Sequence, residues 1–352
     1  MPQIVVSASD ATALAHRLLR ANGVPDEDAT TIAECLVRAD LRGVDSHGLT
    51  RLPGYLDRVR RGLVEPHVEL APVRVAGAAA ELDGRNGFGF VVATRAMNEA
   101  MDLARDAGVG VVSARRSTHF GMAACYALQA AEAGFIALIF TNASPGMPPW
   151  GGRDALIGTS PIAAAAPAGN EVPFVLDMSP ALAARGKIRR AIKQDESIPL
   201  GWALDGDGRP TTDPRAALDG VMQPIGGPKG SGLSIMMDIF GGVISGAAFA
   251  GGVGDMTKEF GRPQNVGHFF LAMRPDLFMP MARYRQRMDE LVRTIHEARR
   301  AEGFDEILMP GELEGRREAQ RRRDGIPYDR TDIEPLQAEA MTANVEPPAL
   351  AR

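Results

Sequence analysis

The spacing of apolar residues predicts two amphipathic helices at the start of the chain. The first is capped within Ser7–Asp10 and runs through Ala21. The second begins at Pro25 and ends near Arg42, where Gly43 provides a C-cap. Its apolar positions keep a helical period: Ile32, Leu36, Val37 and Leu41.

A third helix follows, and Pro53 decides where it can begin. In a helix interior Pro53 would remove a backbone hydrogen bond, whereas in the first turn its missing N–H costs nothing. We therefore expect Thr50 to be the N-cap and Asp45–Gly48 to be a loop. Arg51 and Tyr55, four residues apart, then share one helix face directly after that loop.

From about Val68 the pattern changes to short strands, glycine turns and helices. Residues 68–84 alternate like paired strands, and a helix, a strand, another helix and an apolar strand follow. Strands at Ile162–Ala166 and Pro173–Asp177 have no crossover helix between them, which favours a mixed, largely antiparallel sheet. The expected fold class is α+β.

The last third of the chain returns to helical spacing. Residues 231–248 and 276–302 predict helices, and the apolar run NVGHFFLAM between them predicts a strand. Periodicity is lost from about Thr331, so we expect residues 336–352 to form a disordered tail.

Composition limits the function classes. A formal net charge of -5 over 352 residues argues against a nucleic-acid partner, which would need clustered positive charge. The most apolar stretch, Leu233–Val253, is interrupted by Asp238 and glycines, which favours a buried helix over a membrane span. Cys35 and Cys125 are the only cysteines, which argues against a disulfide framework. Without a signal-peptide pattern, we expect a cytoplasmic protein with no membrane partner.

Two glycine-rich segments invite a nucleotide interpretation. Gly87 and Gly89 lie in a strand–helix turn, but Val92 stands where a Rossmann fingerprint needs a third glycine, so we expect no Rossmann fold. The run Gly226–Gly232 brackets Lys229 ahead of a helix, which favours anion binding at a helix N-terminus. An enzyme acting on nucleoside triphosphates through residues 226–232 is an alternative, although the spacing is not that of a Walker loop.

Two of the six histidines stand out as acid/base candidates. His47 and His119 each lie at an element boundary beside hydroxyl residues and glycine, a setting that leaves an imidazole accessible. His268, within an apolar strand, is expected to be a core histidine. No pair of histidines or carboxylates has metal-ligand spacing, so we expect no metal site.

A series of ordered motifs carries a family resemblance. They are ADLRGVDSHGLTRLPGYLDRVRRG, NGFGFVVATRAM, RRSTHFGMAACYA, FTNASPGMPPWGGRDALIGTSPIA, FVLDMS, ARGKI, PIGGPKGSGLSIMMDI and MPGE. Over roughly residues 8–327 the chain resembles the type-2 malate/L-lactate dehydrogenase family of NAD(P)-dependent oxidoreductases, which is unrelated to the Rossmann dehydrogenases. One difference is Ser231, where many malate- and lactate-type members have tyrosine, which weakens the transfer of either substrate.

The resemblance implies a two-part molecule that forms a homodimer. A helical portion would comprise residues 1–67, 232–262 and 276–304. A cofactor portion around a large, mostly antiparallel sheet would comprise residues 68–231, 263–275 and 305–335.

The resemblance also implies the site residues. His47 and His119 match the two active-site histidines, with Ser46 as a hydroxyl beside the first. Substrate-binding positions are matched by Arg51, Tyr55, Asn142 and Ser144. Cofactor-binding positions are matched by Asp177, Met178, Ser179, Pro228, Lys229, Gly311 and Glu312.

These residues fit hydride transfer between a nicotinamide and a small 2-oxo or 2-hydroxy carboxylic acid. A histidine would donate or accept the proton, and Arg51 would hold the carboxylate with its two-pronged guanidinium. We favour His119 over His47 as the proton carrier, because it lies in the cofactor portion. NAD is favoured over NADP through Asp177, although nearby basic residues could serve a phosphate. A reductase of cyclic imino acids is the alternative on the same scaffold.

Overall fold

The computed structural model describes residues 3–346, and its centre is a seven-stranded sheet. The sheet order is β2-β3-β4-β13-β5-β8-β9, and only β3 and β4 pair in parallel. The strands are β1 (Gln3–Val6), β2 (Val73–Ala76), β3 (Ala79–Asp83), β4 (Val109–Ser117), β5 (Ile136–Thr141), β6 (Pro145–Met147), β7 (Ile157–Gly158), β8 (Ile162–Ala166), β9 (Phe174–Met178), β10 (Ala203–Leu204), β11 (Pro210–Thr211), β12 (Val221–Met222), β13 (Val266–Met273) and β14 (Ile326–Asp329). The prediction of a mixed, mostly antiparallel sheet is confirmed.

Helices surround this sheet and build a second core beside it. They are α1 (Ala8–Ala21), α2 (Asp26–Leu41), α3 (Leu52–Arg60), α4 (Gly89–Ala107), α5 (Ala124–Glu132), α6 (Arg185–Gln194), α7 (Pro214–Asp219), α8 (Pro228–Asp238), α9 (Met281–His296), α10 (Glu312–Asp324) and α11 (Arg330–Thr342). The apolar faces of α4 and α5 pack on the sheet. The apolar stripes of α1, α2, α3 and α11 pack together with the β1–β14 pair.

The first two helices form where their caps and periodicity place them. The Ser7 hydroxyl accepts the N–H of Asp10 at the start of α1. Ile32 and Leu36 of α2 are completely buried, and Gly43 follows the helix with a positive φ. Both helix predictions are confirmed.

The third helix begins later than expected. Asp45–His47 and Leu49–Arg51 each form a 3-10 turn, and α3 starts at Leu52, so Thr50 is not its N-cap. The physical reason is Asp40, whose carboxylate accepts the N–H of Leu49 and holds the chain in a tight turn before the helix. Pro53 still lies in the first helical turn, as its chemistry requires.

Three helical segments differ from their predicted limits. The helix expected over 231–248 begins at Pro228, changes to a single π-turn over Ile239–Val243 and then ends. The helix expected over 276–302 covers only Met281–His296, because Pro280 precedes it and the following residues lack buried apolar anchors. The segment expected to be disordered carries α11, whose residues Leu336 and Ala340 are fully buried. Residues 347–352 lie outside the described part of the chain.

The apolar stretch around α8 is not buried in the single chain. Ile235 and Ile239 are 41% and 44% exposed, and Val243 and Ile244 are more than half exposed. The buried-helix prediction is therefore wrong for this face. None of the helices in residues 3–346 has the length and apolar character needed to cross a membrane.

Candidate active site

His119 lies just beyond the end of β4, where a β-bulge changes the direction of the strand. The pairing of β13 with β4 shifts between Val266 and His268, and Arg116 has a φ of 47°, in the left-handed region. The Thr118 hydroxyl then accepts the N–H of Gly89 at 2.8 Å and lies 3.1 Å from the carbonyl of Gly87. The segment that carries His119 is thus fixed on the start of α4.

His47 lies at the end of the first 3-10 turn, directly before Gly48. The Ser46 hydroxyl is 2.8 Å from Nδ1 of His47. Gly48 packs so closely on Asp40 that a Cβ at this position would overlap the carboxylate. Since Asp40 also accepts the Leu49 N–H and the Tyr328 hydroxyl, one buried carboxylate holds the whole turn.

The two predicted histidines meet in space. Their ring centroids are 5.5 Å apart and the rings are nearly parallel, with an interplanar angle of 22°. Tyr55, buried on α3, places its hydroxyl 2.7 Å from Nδ1 of His119. Arg51 is close enough to influence both histidines and the Tyr55 hydroxyl. His47, Ser46, His119, Arg51 and Tyr55 therefore form one cluster.

Burial and mutual charge keep both histidines neutral. Burial and then Arg51 lower the pKa of His47 to about 4. Burial, followed by His47, Arg51 and His268, holds the pKa of His119 well below its usual range. Burial also raises the pKa of Tyr55 above that of a free phenol. At neutral pH the cluster therefore contains two uncharged imidazoles and a protonated tyrosine.

The hydrogen bonds of His119 define its tautomer. The backbone N–H of Gly121 donates to Nδ1 at 3.2 Å, so this nitrogen is unprotonated. The Tyr55 hydroxyl must then also donate to Nδ1, and the proton of the neutral ring lies on Nε2. His119 thus offers a fixed N–H donor.

Asn142, predicted to contact substrate, is engaged with the backbone. Its side-chain oxygen accepts the N–H of Gly267 at 3.0 Å, and its side-chain nitrogen donates to the carbonyl of Ala248 at 2.6 Å. Ser144 follows in a half-buried position. Asn142 directly follows β5, and Ser117 is the last residue of β4. Both therefore lie at the same edge of the sheet.

The segments predicted to bind cofactor are brought together by the fold. The N–H of Val175, two residues before Asp177, donates to the carbonyl of Pro310 at 3.0 Å. The carbonyl of Pro180, directly after Ser179, accepts the N–H of Ile225 at 2.7 Å. The end of β9 therefore lies between the Gly311–Glu312 turn and the glycine-rich loop before α8.

Several side chains in these segments already have protein partners. The Asp177 carboxylate accepts the N–H of Ala124 at the start of α5, at 2.7 Å. Glu312 accepts from His296 at 2.8 Å and from Arg316 at 2.6 Å. Pro228 and Lys229 are exposed at the N-terminus of α8, preceded by two glycines with positive φ.

Two residues of the site were not predicted from the sequence. Gln264 accepts the backbone N–H of His119 at 3.2 Å and donates to the carbonyl of Gly254. Asp40 supports the turn of His47 from within the core. Neither residue belongs to a repeating pattern, and the only available signal for Asp40 was a carboxylate on the apolar face of α2.

The histidine cluster lies at one edge of a mixed sheet, in a chain that lacks a dinucleotide fingerprint. Residues 6–337 match the model of the malate/L-lactate dehydrogenase family. The chain is 41% identical over 316 residues to the L-sulfolactate dehydrogenase of Methanocaldococcus jannaschii, covering 89% of this chain and 90% of that protein. It is 34% identical over 290 residues to the ureidoglycolate dehydrogenase (NAD(+)) of Escherichia coli, covering 82% of each.

Solved structures agree with this result. The sulfolactate dehydrogenase of Methanocaldococcus jannaschii superimposes with a TM-score of 0.92 at 38% identity, covering 97% of this chain and 98% of that one. The delta1-piperideine-2-carboxylate reductase of Pseudomonas syringae gives a TM-score of 0.86 at 32% identity, covering 96% and 99%. The chain belongs to the malate/L-lactate dehydrogenase family, and the family membership predicted from its motifs is confirmed.

Proposed function

We propose that the protein is an NAD(P)-dependent oxidoreductase that transfers a hydride between nicotinamide and carbon 2 of a small 2-oxo or 2-hydroxy carboxylic acid. The observation that carries the proposal is the stacked pair His47 and His119, with Arg51 and Tyr55 beside it. An uncharged imidazole pair next to a permanent cation suits a substrate that brings its own negative charge and exchanges one proton.

Arg51 holds the substrate carboxylate. Its Nε is buried and has no hydrogen-bond partner within residues 3–346. A buried guanidinium nitrogen without a partner is costly, and a carboxylate bound in two-pronged fashion relieves that cost. Fixing the carboxylate also fixes the neighbouring carbonyl carbon relative to the histidines.

His47 carries the proton, and His119 orients the oxygen. Nδ1 of His119 accepts the backbone N–H of Gly121, which can only donate, so protonating Nδ1 would break that hydrogen bond. The Nε2–H of His119 serves as a fixed donor to the substrate oxygen. Nδ1 of His47 is bonded to the Ser46 hydroxyl, which can donate or accept and so tolerates either protonation state. This reverses the preference for His119 that its place in the sequence suggested.

The residues at the β9 end and the glycine-rich loop fit a dinucleotide. Gly226 and Gly227 have φ values of 58° and 61°, and the N-terminus of α8 with exposed Lys229 provides amides and a cation for a diphosphate. Asp177, Met178, Ser179, Pro228, Lys229, Gly311 and Glu312 would hold the cofactor. When bound, the nicotinamide gives or takes the hydride.

We favour NAD over NADP. Asp177 places an exposed carboxylate at the end of β9, and a carboxylate discriminates against a ribose 2′-phosphate. The basic residues of α6, which include Arg185 and Lys187, offer a site for that phosphate instead. The names of relatives include both cofactors. The (2R)-3-sulfolactate dehydrogenase of Chromohalobacter salexigens is named as an NADP(+) enzyme, and the ureidoglycolate dehydrogenase of Escherichia coli as an NAD(+) enzyme. Fluorescence titration with NADH and NADPH decides between them.

A cyclic imino acid is the second candidate substrate. The likeness to the piperideine-2-carboxylate reductase favours it, and the same chemistry applies, since the C=N nitrogen would take the proton in place of a carbonyl oxygen. Arg51 would hold the ring carboxylate. Assaying 2-oxo acids and cyclic imino acids side by side separates the two.

The decisive experiment is single-turnover hydride transfer in histidine variants, followed by NAD(P)H absorbance. We expect His47→Gln to slow the step by about 10²–10⁴-fold, the range for loss of a general acid or base. His119→Gln keeps an amide N–H donor and should retain more activity than His119→Ala. Full rates in all variants would refute the proposal, and a larger loss for His119→Gln than for His47→Gln would exchange the two roles.

We also propose that the protein forms a homodimer in the cytoplasm. The exposed apolar surface formed by Ile235, Ile239, Val243 and Ile244 is of the kind that marks protein–protein contacts. A two-fold dimer would cover this surface on both copies at once. Cys35 and Cys125 are both free, which suits a reducing compartment.

A further inference from the structure

His268 is a buried titratable residue that the proposed reaction does not use. It lies in the middle of the seven-stranded sheet, on β13 between β4 and β5, and is completely buried. Burial lowers its pKa to about 3, so the ring is neutral. As expected from its apolar strand, it is a core histidine with its polar atoms satisfied.

Both ring nitrogens are hydrogen-bonded to buried hydroxyl groups. Nδ1 lies 2.7 Å from Oγ1 of Thr141, and Nε2 lies 2.8 Å from Oγ of Ser117. The Thr141 hydroxyl can donate to the carbonyl of Asn142 at 3.1 Å or of Gly267 at 3.2 Å, which leaves it free to accept from Nδ1–H. The Ser117 hydroxyl can donate to Nε2, or donate to the carbonyl of Thr118 at 3.4 Å and accept from Nε2–H, so it serves either tautomer of His268.

His268 reaches the segment of His119 at two points. Besides binding Ser117, its ring stacks on Phe120, with centroids 4.6 Å apart and an interplanar angle of 7°. Ser117 and Phe120 flank Thr118 and His119 in the chain. The β-bulge next to Ser117 brings that hydroxyl within hydrogen-bonding distance of Nε2 of His268.

We propose that His268 is a positioning residue for His119. A phenylalanine or leucine would fill the same volume, but it would leave Ser117 and Thr141 as buried hydroxyls without their partner. The hydrogen bond to Ser117 and the stacking on Phe120 hold the 117–120 segment from inside the sheet, while Gln264 holds the backbone N–H of His119 from outside. This inference rests on the proposed function, in which His119 orients the substrate oxygen.

The test compares His268→Leu, His268→Gln and His268→Asn in the full-length protein, with steady-state rates for reduction of a 2-oxo acid. We expect His268→Leu to lower kcat roughly tenfold while KM for the nicotinamide cofactor stays unchanged, because only the reacting geometry is disturbed. His268→Gln, whose amide reaches the position of Nε2, should restore most of kcat. His268→Asn, whose amide reaches only toward Thr141, should restore less.

Leu103→Ala is the matched control, since Leu103 is equally buried in the same core but lies near the end of α4 that is distant from the 117–120 segment. It should lower the thermal unfolding temperature and leave kcat unchanged. If His268→Leu does not fold, Ser117→Ala replaces it, with the same expected loss of kcat. Unchanged kcat in a folded His268→Leu or Ser117→Ala protein, or an equal loss in Leu103→Ala, overturns the inference. A His119→Ala protein with full activity would instead overturn the proposed function.

Discussion

The Tyr55 hydroxyl lies 2.7 Å from Nδ1 of His119 and joins two parts of the chain that are 64 residues apart. Because the Gly121 N–H already donates to the same nitrogen, Tyr55 donates as well. Tyr55 belongs to α3 in the helical core, whereas His119 follows a strand of the central sheet. This hydrogen bond therefore links the two halves of the candidate site and fixes the proton of His119 on Nε2.

Removing this hydroxyl should weaken the site without unfolding the protein. Tyr55→Phe leaves the edge-to-face packing on Phe90 intact but deletes one donor to His119. A neutral hydrogen bond is worth about 1 kcal/mol, so we expect roughly a fivefold loss of kcat/KM. Tyr284→Phe is the control, since Tyr284 lies on helix α9, outside the site, and its hydroxyl donates to the carbonyl of Pro167. Equal losses in the two variants would show that Tyr55 has no particular role.

The two directions of the reaction should depend differently on pH. In the proposed reaction, reduction needs a protonated His47, and burial lowers the pKa of His47 in the free protein to about 4. Above that value each pH unit removes about nine-tenths of the protonated form, so kcat/KM for reduction should rise as pH falls from about 8 to 5. Oxidation needs the neutral ring and should stay level over the same range. A rate profile for reduction that stays level would contradict the assignment of His47.

Arg51 should act on binding more than on stability. Lysine keeps the charge but not the two-pronged geometry, so Arg51→Lys should raise KM for the acid substrate by roughly 10- to 100-fold, or about 1.4–2.8 kcal/mol. KM for the cofactor should not change. Arg60→Lys is the control, because Arg60 lies on the same helix as Tyr55 and makes a two-pronged contact with Glu339 of α11. If Arg51→Lys binds the acid as tightly as the parent, another cation holds the carboxylate.

Local elements could be predicted from the sequence because each rests on interactions within a few residues. The Ser7 cap, the apolar stripe of α2 and the position of Pro53 in a first turn depend only on neighbouring positions. The start of α3 could not be predicted in this way. It depends on Asp40, nine residues before Leu49, and therefore on how α2 packs against the following turn.

The site could be predicted only in part. The accessible settings of His47 and His119 marked both as candidates, and the family resemblance added Arg51 and Tyr55. Their meeting depends on the packing of α3 against the end of β4, which no spacing encodes. The same holds for Gln264 and the exposed face of α8, because hydropathy reports that a residue is apolar but not whether its own chain covers it.

Gly48 should be essential although its backbone is ordinary. Its φ is -91°, which any residue adopts, so the constraint is the space taken by Asp40. Gly48→Ala should displace the turn that carries Ser46 and His47, with a loss of kcat/KM of about 10²-fold, the scale of a misplacement near 1 Å. Gly54→Ala, where the nearest atom to a new Cβ is 3.8 Å away, should be harmless. Comparable activities of the two variants would show that the contact with Asp40 is unimportant.

The apolar surface on α8 should control the oligomeric state. A charge in the middle of this surface would have to be buried on both copies of a two-fold dimer, so Ile239→Asp should yield a monomer. Leu291→Asp is the matched control, because Leu291 is 49% exposed but lies on α9, outside this surface. Sedimentation velocity at micromolar concentration should give the mass of a dimer for the parent and for Leu291→Asp, and that of a monomer for Ile239→Asp. A monomeric parent, or a dimeric Ile239→Asp protein, would show that this surface does not join two copies of the chain.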